Sequence, residues 1–448
     1  MKILFVHQNC PGQYKHLAPA LAARKGWDVR FLTRPGKPDV AGVTKVEYDP
    51  AREPGKQTHR YIQNLESAVL YGQAAAQAAE KLRQSGFVPD VIVGHAGWGE
   101  IMYLKDVFPT SRLLGYFEFY YRAYGSDVDF DRDRKVTLDD RARIRTKNTA
   151  QFISLEAADW GISPTLWQKA QLPREFHGKV SVIHEGIDTE KVKPRADAKI
   201  ILPEGLELNK SDEVVTYVAR NLEPYRGFPI FMRVVEEICR RRPRAHVLIV
   251  GADGVSYGRR LPDGQTYREK ALAEVEIDPA RVHFLGRLPY AQYLKVLQIS
   301  AVHVYLTYPF VLSWSMLEAM ASECLIVGSD TAPVQELIRD GENGLLVEFF
   351  DPIAIADRVD EVLDHEDRMA AIRTRARRTI VRSYSIDKCL RDQIRMVESL
   401  AEGRRPGHVA AVPSSVRKPA AKMPKGPNST PKGKKRGTKR PRAAVSGR

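Results

Sequence analysis

The sequence predicts an α/β protein of two Rossmann-like domains facing each other across a cleft. Three observations carry that prediction. Apolar, strand-like runs alternate with amphipathic helical runs along most of the chain, as in parallel sheets covered on both faces. The alternation stops at a polar, proline-containing stretch after Asp188 and then restarts. A chain of 448 residues is also long for a single core.

The elements follow in order. KILFVHQ reads as a strand running into the loop NCPG, and QYKHLAPALAARKG has helical spacing. DVRFLT is the second strand. The long helical run HRYIQNLESAVLYGQAAAQAAEKLRQSG leads to PDVIVGHAG, an apolar strand ending in glycines. SRLLGYFEF is the next strand, RARIRTKNTAQFISLEAAD one helix, and WGISP and VSVIHEG two short strands. TEKVKPRADAKI is a linker. The second series is VVTYVARN (strand), FPIFMRVVEEICRRR (helix), HVLIVGADG (strand), TYREKALAEV (helix) and VHFLG (strand). It closes with YAQYLKVLQIS (helix), AVHVYLT (strand), SWSMLEAMAS (helix) and CLIVGSD (strand), and DKCLRDQIRMVESLAE is a final helix. The boundaries expected are 1–190 for the first Rossmann-like domain, 191–385 for the second, 386–403 for a helix crossing back to the first domain, and 404–448 for a tail.

The net charge of +15 belongs to that tail. Residues 404–448 hold 14 Lys and Arg and no acid, leaving 56 basic against 55 acidic residues elsewhere. Rich in Pro, Gly, Ser and Ala and lacking aromatics, the tail is expected to be disordered. Its charge suits an anionic membrane surface better than sequence-specific nucleic-acid reading, and a purely solubilising role fits equally. Four scattered cysteines form no zinc pattern and suit a reducing compartment. MKILFVHQN is too short an apolar run for a signal peptide, and no stretch approaches a membrane span. The expectation is a cytoplasmic protein, at most peripheral on the inner face of the membrane.

Ligands of open parallel sheets bind beyond the carboxyl ends of the strands, which selects the loops to read. In VARNLEPYRG, Arg220 ends a strand and Arg226 precedes Gly227 and a helix, a receptor for a doubly charged phosphate group; two surface arginines are the plainer alternative. In TYPFVLSWSMLEAM, Leu312 leads into Ser313, Trp314 and Ser315, residues suited to a helix start whose amides face the same phosphates. Glu318 lies one turn further on, within reach of a ligand's neutral hydroxyls. His95 ends a buried strand and can face a ligand, although a histidine satisfied within the fold fits as well. Gly12 lets backbone approach a ligand closely, or simply makes a turn. Walker A, GxGxxG, GxSxG and HExxH patterns are all missing. Asp127, Asp129, Asp131 and Asp133 alternate like a calcium loop, but lack its glycine and terminal glutamate, so a solvated acidic loop is expected.

These pieces, with GHAGW, HEGID, VHFLGRLPY, LEAMASECLIVGSDTAPVQELI and DGENGLLVEFFDP, resemble the retaining glycosyltransferases of family 4 (glycosyl transferases group 1), in a bacterial subgroup. The resemblance covers about residues 1 to 400 and implies the GT-B architecture. It implies transfer of a sugar from a nucleotide-sugar donor to a glycan, lipid-linked or small-molecule acceptor, with retention and without a cofactor or bound metal. Arg220 and Arg226 then hold the diphosphate, Glu318 the ribose, and the stretch Leu285, Gly286 and Leu288 the nucleobase. His95 faces the donor sugar, and Gly12 lies near acceptor and phosphates. The sequence departs from the family at one place: a second acid expected eight residues before Glu318 is Phe310. A sugar-nucleotide 2-epimerase on a similar scaffold is the alternative enzyme, and a polyanion-binding protein driven by the tail the alternative without catalysis.

Overall fold

The computed structural model describes residues 1–203 and 205–407. The tail predicted from residue 404 onward therefore lies, beyond Gly407, outside the described residues. The first sheet holds Lys2–Val6 (β1), Asp28–Thr33 (β2), Thr44–Glu47 (β3), Val91–His95 (β4), Arg112–Tyr116 (β5), Trp160–Ser163 (β6) and Val180–Val182 (β7). Its order is β3-β2-β1-β4-β5-β6-β7, and every pair is parallel. A small antiparallel hairpin follows, Lys199–Ile201 (β8) and Glu207–Asn209 (β9). The second sheet holds Val214–Asn221 (β10), His246–Ala252 (β11), Val282–Gly286 (β12), Val302–Tyr305 (β13), Leu325–Ser329 (β14) and Leu345–Val347 (β15). Its order is β12-β11-β10-β13-β14-β15, again parallel throughout.

The strand sequences explain this arrangement. Ile3, Leu4, Phe5 and Val6 are buried on both faces of β1, as are Val247, Leu248 and Ile249 of β11, so each sheet needs helices on both sides. Strand order reverses between β1 and β4 and again between β10 and β13. Loops leaving those neighbours diverge and open a crevice at the carboxyl ends, where a ligand fits. The helix Ile386–Ala401 packs Met396, Val397 and Leu400 into the core beneath the first sheet.

Two local expectations change. The run expected as one helix, RARIRTKNTAQFISLEAAD, is broken at Asn148 into Leu138–Lys147 and Thr149–Ala157. The Asn148 side chain turns away to bond both the N–H and the C=O of Tyr121, at 3.0 and 2.8 Å, pinning the segment after β5. The expected strand SRLLGYFEF ends at Tyr116; beyond it, side-chain amides of Gln151 and Gln168 take the carbonyls of Phe119 and Glu118. The backbone there is satisfied without a sheet neighbour.

The acidic loop is also not wholly solvated. Asp127 is buried and accepts the Tyr225 hydroxyl of the other domain at 2.8 Å, while Phe130 packs against Tyr308, Phe349 and Phe350. A second bridge is aromatic: Phe119 and Trp167 of the first domain enclose Phe310 of the second. A third is polar: Glu336 accepts the N–H groups of Leu166 and Trp167, both at 2.8 Å, at a helix start in the first domain.

Buried histidines give the fold a pH signature. His303 on β13 is fully buried, with Nδ1 2.8 Å from the Thr216 hydroxyl on β10, and burial pushes its pKa down to about 3. It stays neutral in the fold and takes up a proton on unfolding once pH falls below its ordinary value. Stability is thus present above about pH 6.5 and is lost as pH falls toward 3, at about 1.4 kcal/mol per pH unit for each such histidine. We expect the thermal midpoint to fall between pH 7 and 5, and to fall less steeply in His303→Gln. Equal slopes would show that His303 does not titrate on unfolding.

Candidate active site

Arg226 lies at the strand-order reversal of the second sheet. The 3₁₀ turn Pro224–Arg226 follows β10, and Gly227 continues it at φ +70° into the helix Phe228–Arg241. A side chain on Gly227 would strike Leu306 as well as strain the backbone. The Arg226 guanidinium is 7% exposed, donates to the Thr307 hydroxyl at 2.7 Å, and lies 3.4 Å from the Tyr305 hydroxyl. Among the described residues no carboxylate is within ion-pair distance of it. A buried guanidinium that meets only hydroxyls is poised for an anion. Tyr257 covers it, with Arg226 Cζ 5.4 Å from the ring centroid. The Glu223 carboxylate holds that loop by accepting the N–H groups of Ser256, Tyr257 and Gly258 at 2.8–3.0 Å. Arg220, by contrast, is exposed, and its side chain has no partner among the described residues. The two arginines are therefore not an equivalent pair.

The Tyr305 hydroxyl joins Arg226 to the expected helix start by accepting the Ser313 N–H at 2.9 Å. Ser313 caps the helix Trp314–Ala321, its hydroxyl accepting the Ser315 N–H at 3.2 Å. Two of the amides expected to be free are thus occupied. Trp314 N–H is the amide of Ser313–Ser315 without a partner among the described residues. Leu312 does not face the cleft at all: it is packed in the core with Tyr305 and Met316. The Trp314 indole crosses to the first domain, donating to Glu185 at 2.9 Å, with Lys15 Nζ 4.3 Å from its ring centroid. Glu185, only 4% exposed, also accepts the Tyr116 hydroxyl.

Glu318 is buried, and its oxygens accept the hydroxyls of Tyr290 and Tyr293, each at 2.7 Å. It is not the open carboxylate that the sequence suggests. Tyr290 is 41% exposed, so of the two partners it is the one that solvent reaches. Leu285 and Gly286 end the edge strand β12, Leu288 follows it just before Tyr290, and a Cβ on Gly286 would meet nothing within 4 Å.

The first domain contributes histidines that share one local design. His7, His95 and His184 follow or end β1, β4 and β7, and each Nδ1 accepts the N–H two residues on, from Asn9, Gly97 and Gly186, at 2.8–3.0 Å. That fixes the proton on Nε2 in each ring. His7 then donates to Gln13 Oε1 at 2.7 Å, and Gln13 Nε2 donates to Glu118 Oε1 at 3.0 Å. Burial pushes the His7 ring down to about 3. His95 stacks on Trp98 with ring centroids 4.5 Å apart, and its Nε2 has no hydrogen-bond partner. Gly12 has φ +52°, and a Cβ there would lie 2.7 Å from His7 Nε2. The close approach that Gly12 makes is thus to His7 and not to an open ligand space. Among the described residues no group of three or more His, Cys, Asp or Glu side chains could hold a metal ion.

The family model of the glycosyl transferase family 4 group matches residues 25–192, and that of the glycosyl transferases group 1 matches residues 199–379. The chain belongs to the family 4, group 1 glycosyltransferases. Two of its relatives are D-inositol 3-phosphate glycosyltransferases. The one from Corynebacterium efficiens is 25% identical over 77% of this chain and 80% of its own. The one from Nocardia farcinica is 29% identical over 49% of this chain and 48% of its own. Among solved structures, sucrose-phosphate synthase from Thermosynechococcus elongatus superposes with a TM-score of 0.69 at 19% identity, covering 90% of this chain and all of its own. Anabaena HepE, solved with UDP and glucose, gives 0.63 at 15%, covering 89% and 100%. At such identities the likeness shows the GT-B fold.

In this glycosyltransferase the sequence singles out Arg226, His95 and the Trp314 helix start as candidates, but not the side chains that hold them. Glu185 sits in the quoted HEGID turn and Glu118 in the aromatic stretch YFEFYYRAY; neither spacing reveals that a carboxylate would turn into the cleft. Tyr290 and Tyr293 read as helix residues facing a core.

Proposed function

We propose that the protein transfers a sugar from a nucleoside diphosphate donor to a hydroxyl of a glycan, lipid-linked or small-molecule acceptor, with retention of anomeric configuration. The observation that carries the reading is the buried Arg226 guanidinium, left without a carboxylate at the crevice between β10 and β13. A diphosphate supplies the missing charge, and the Trp314 N–H and the helix behind it add a donor and a favourable dipole. The nucleobase then lies against Leu285–Leu288, and the ribose against Glu318 beside Tyr290. That HepE, which shares this fold, was solved with UDP and with UDP-glucose supports a nucleotide-sugar as the donor.

When the C1–O bond breaks, its electron pair passes to the phosphate oxygen, whose growing charge Arg226 offsets. The acceptor oxygen attacks C1 from the face the diphosphate leaves, and its proton passes to that same phosphate oxygen. No protein nucleophile and no metal is required by this scheme. Following reactions of UDP-, GDP- and ADP-hexoses by proton NMR tests it. The first-formed product should keep the donor's anomeric configuration, whereas an initially inverted product would overturn the retaining assignment.

A further inference from the structure

A carboxylate from the opposite domain faces this cleft with one oxygen unused. Glu118 follows β5 and is held at two points. Its backbone carbonyl is bonded by Gln168, and its Oε1 accepts from Gln13, whose amide is itself oriented by His7. Its Oε2 lies 3.6 Å from His95 Nε2, too far for a hydrogen bond. His95 is 2% exposed, its Nδ1 is occupied by Gly97 N–H, and its Nε2–H is the unpartnered donor. A donor and an acceptor thus face the same point from 3.6 Å apart. A hydroxyl oxygen about 2.8 Å from each completes both, accepting from His95 and donating to Glu118.

We propose that Glu118 is a catalytic residue of the transfer: its Oε2 and the Nε2–H of His95 together hold one hydroxyl of the transferred sugar. The inference rests on the donor reading above. Burial works to raise the Glu118 carboxyl, but its neighbours, Gln13 and the Arg226 charge among them, hold it below its ordinary value. The next residue, Phe119, packs against Phe310 of the second domain, so Glu118 stands where the two domains meet. An ionised carboxylate on a sugar hydroxyl also favours the positive charge that develops at C1 as the diphosphate leaves. Position 310 cannot do this, since Phe310 is enclosed by Phe119, Tyr225 and Tyr257.

The test compares parent nucleotides with their sugar derivatives (UDP, GDP and ADP against UDP-glucose, GDP-mannose and ADP-glucose) in wild type and Glu118→Gln. In Glu118→Gln two donors face each other, so the sugar nucleotide should bind at least about tenfold more weakly and hydrolyse at least about thirtyfold more slowly. Affinity for the parent nucleotide should stay within about twofold. Glu118→Asp should recover part of the hydrolysis. Equal weakening of nucleotide and sugar nucleotide, or no change in either, would overturn the assignment. If wild type binds none of the nucleotides, the donor reading itself fails and takes this inference with it. Should Glu118→Gln not fold, Gln13→Leu, which frees Oε1 and loosens the carboxylate, should show the same split at smaller size, and its absence would be equally decisive against Glu118.

Discussion

Phe310→Glu should destabilise the protein by about 3–5 kcal/mol or more and should not improve transfer. The substitution restores the acid that the family pattern has eight residues before Glu318, so sequence comparison alone would expect a gain. The structure argues the reverse. Phe310 is 6% exposed, with ring centroids 4.5 Å from Phe119, 4.9 Å from Tyr257 and 5.5 Å from Tyr225. A carboxylate there loses the aromatic contacts and is buried among rings. Because Phe119 and Trp167 come from one domain and Phe310 and Tyr225 from the other, the loss falls on the contact between domains. The total stability of a folded domain is about 5–15 kcal/mol, so the change should be evident in urea unfolding. Phe310→Leu should cost far less. A glutamate variant as stable as wild type would show that the ring does not join the domains.

The fold was legible because its signal is local. VVTYVARN, DVRFLT and VHFLG coincide with β10, β2 and β12, since parallel strands packed under helices carry mostly apolar, β-branched and aromatic residues. The edge strand Thr44–Glu47 carries no apolar run, and Leu345–Val347 is apolar but only three residues long. Of the site, Arg226 and His95 were legible because strand ends select them. The different standing of Arg220 and Arg226 was not, since burial depends on where Tyr257 and Thr307 lie. Nor was the occupation of Glu318 by two tyrosines 25 and 28 residues away in the chain. Phe310 stood out as a departure, but its reason lies in Phe119 and Trp167, which no motif connects to it.

Arg226→Ala carries the second large effect and bears on the central claim. A buried guanidinium making two charge-assisted bonds to a diphosphate contributes about 3–6 kcal/mol, so its loss should weaken nucleoside diphosphate binding at least about 100-fold. Arg226→Lys should recover only part, because an ammonium cannot reproduce the fork that meets Thr307 and a phosphate together. Arg220→Ala, removing an exposed side chain, should cost less than about tenfold. Stability without nucleotide should hardly fall in Arg226→Ala, since the change removes a buried charge that lacks a counterion.

The most direct measurement is therefore calorimetric titration of UDP, GDP and ADP into wild type, Arg226→Ala and Arg220→Ala, with thermal midpoints recorded alongside. The account predicts that one of these nucleotides binds wild type, that Arg226→Ala stays folded but loses most of that binding, and that Arg220→Ala keeps most of it. An Arg226→Ala protein that binds nucleotide as tightly as wild type would contradict it.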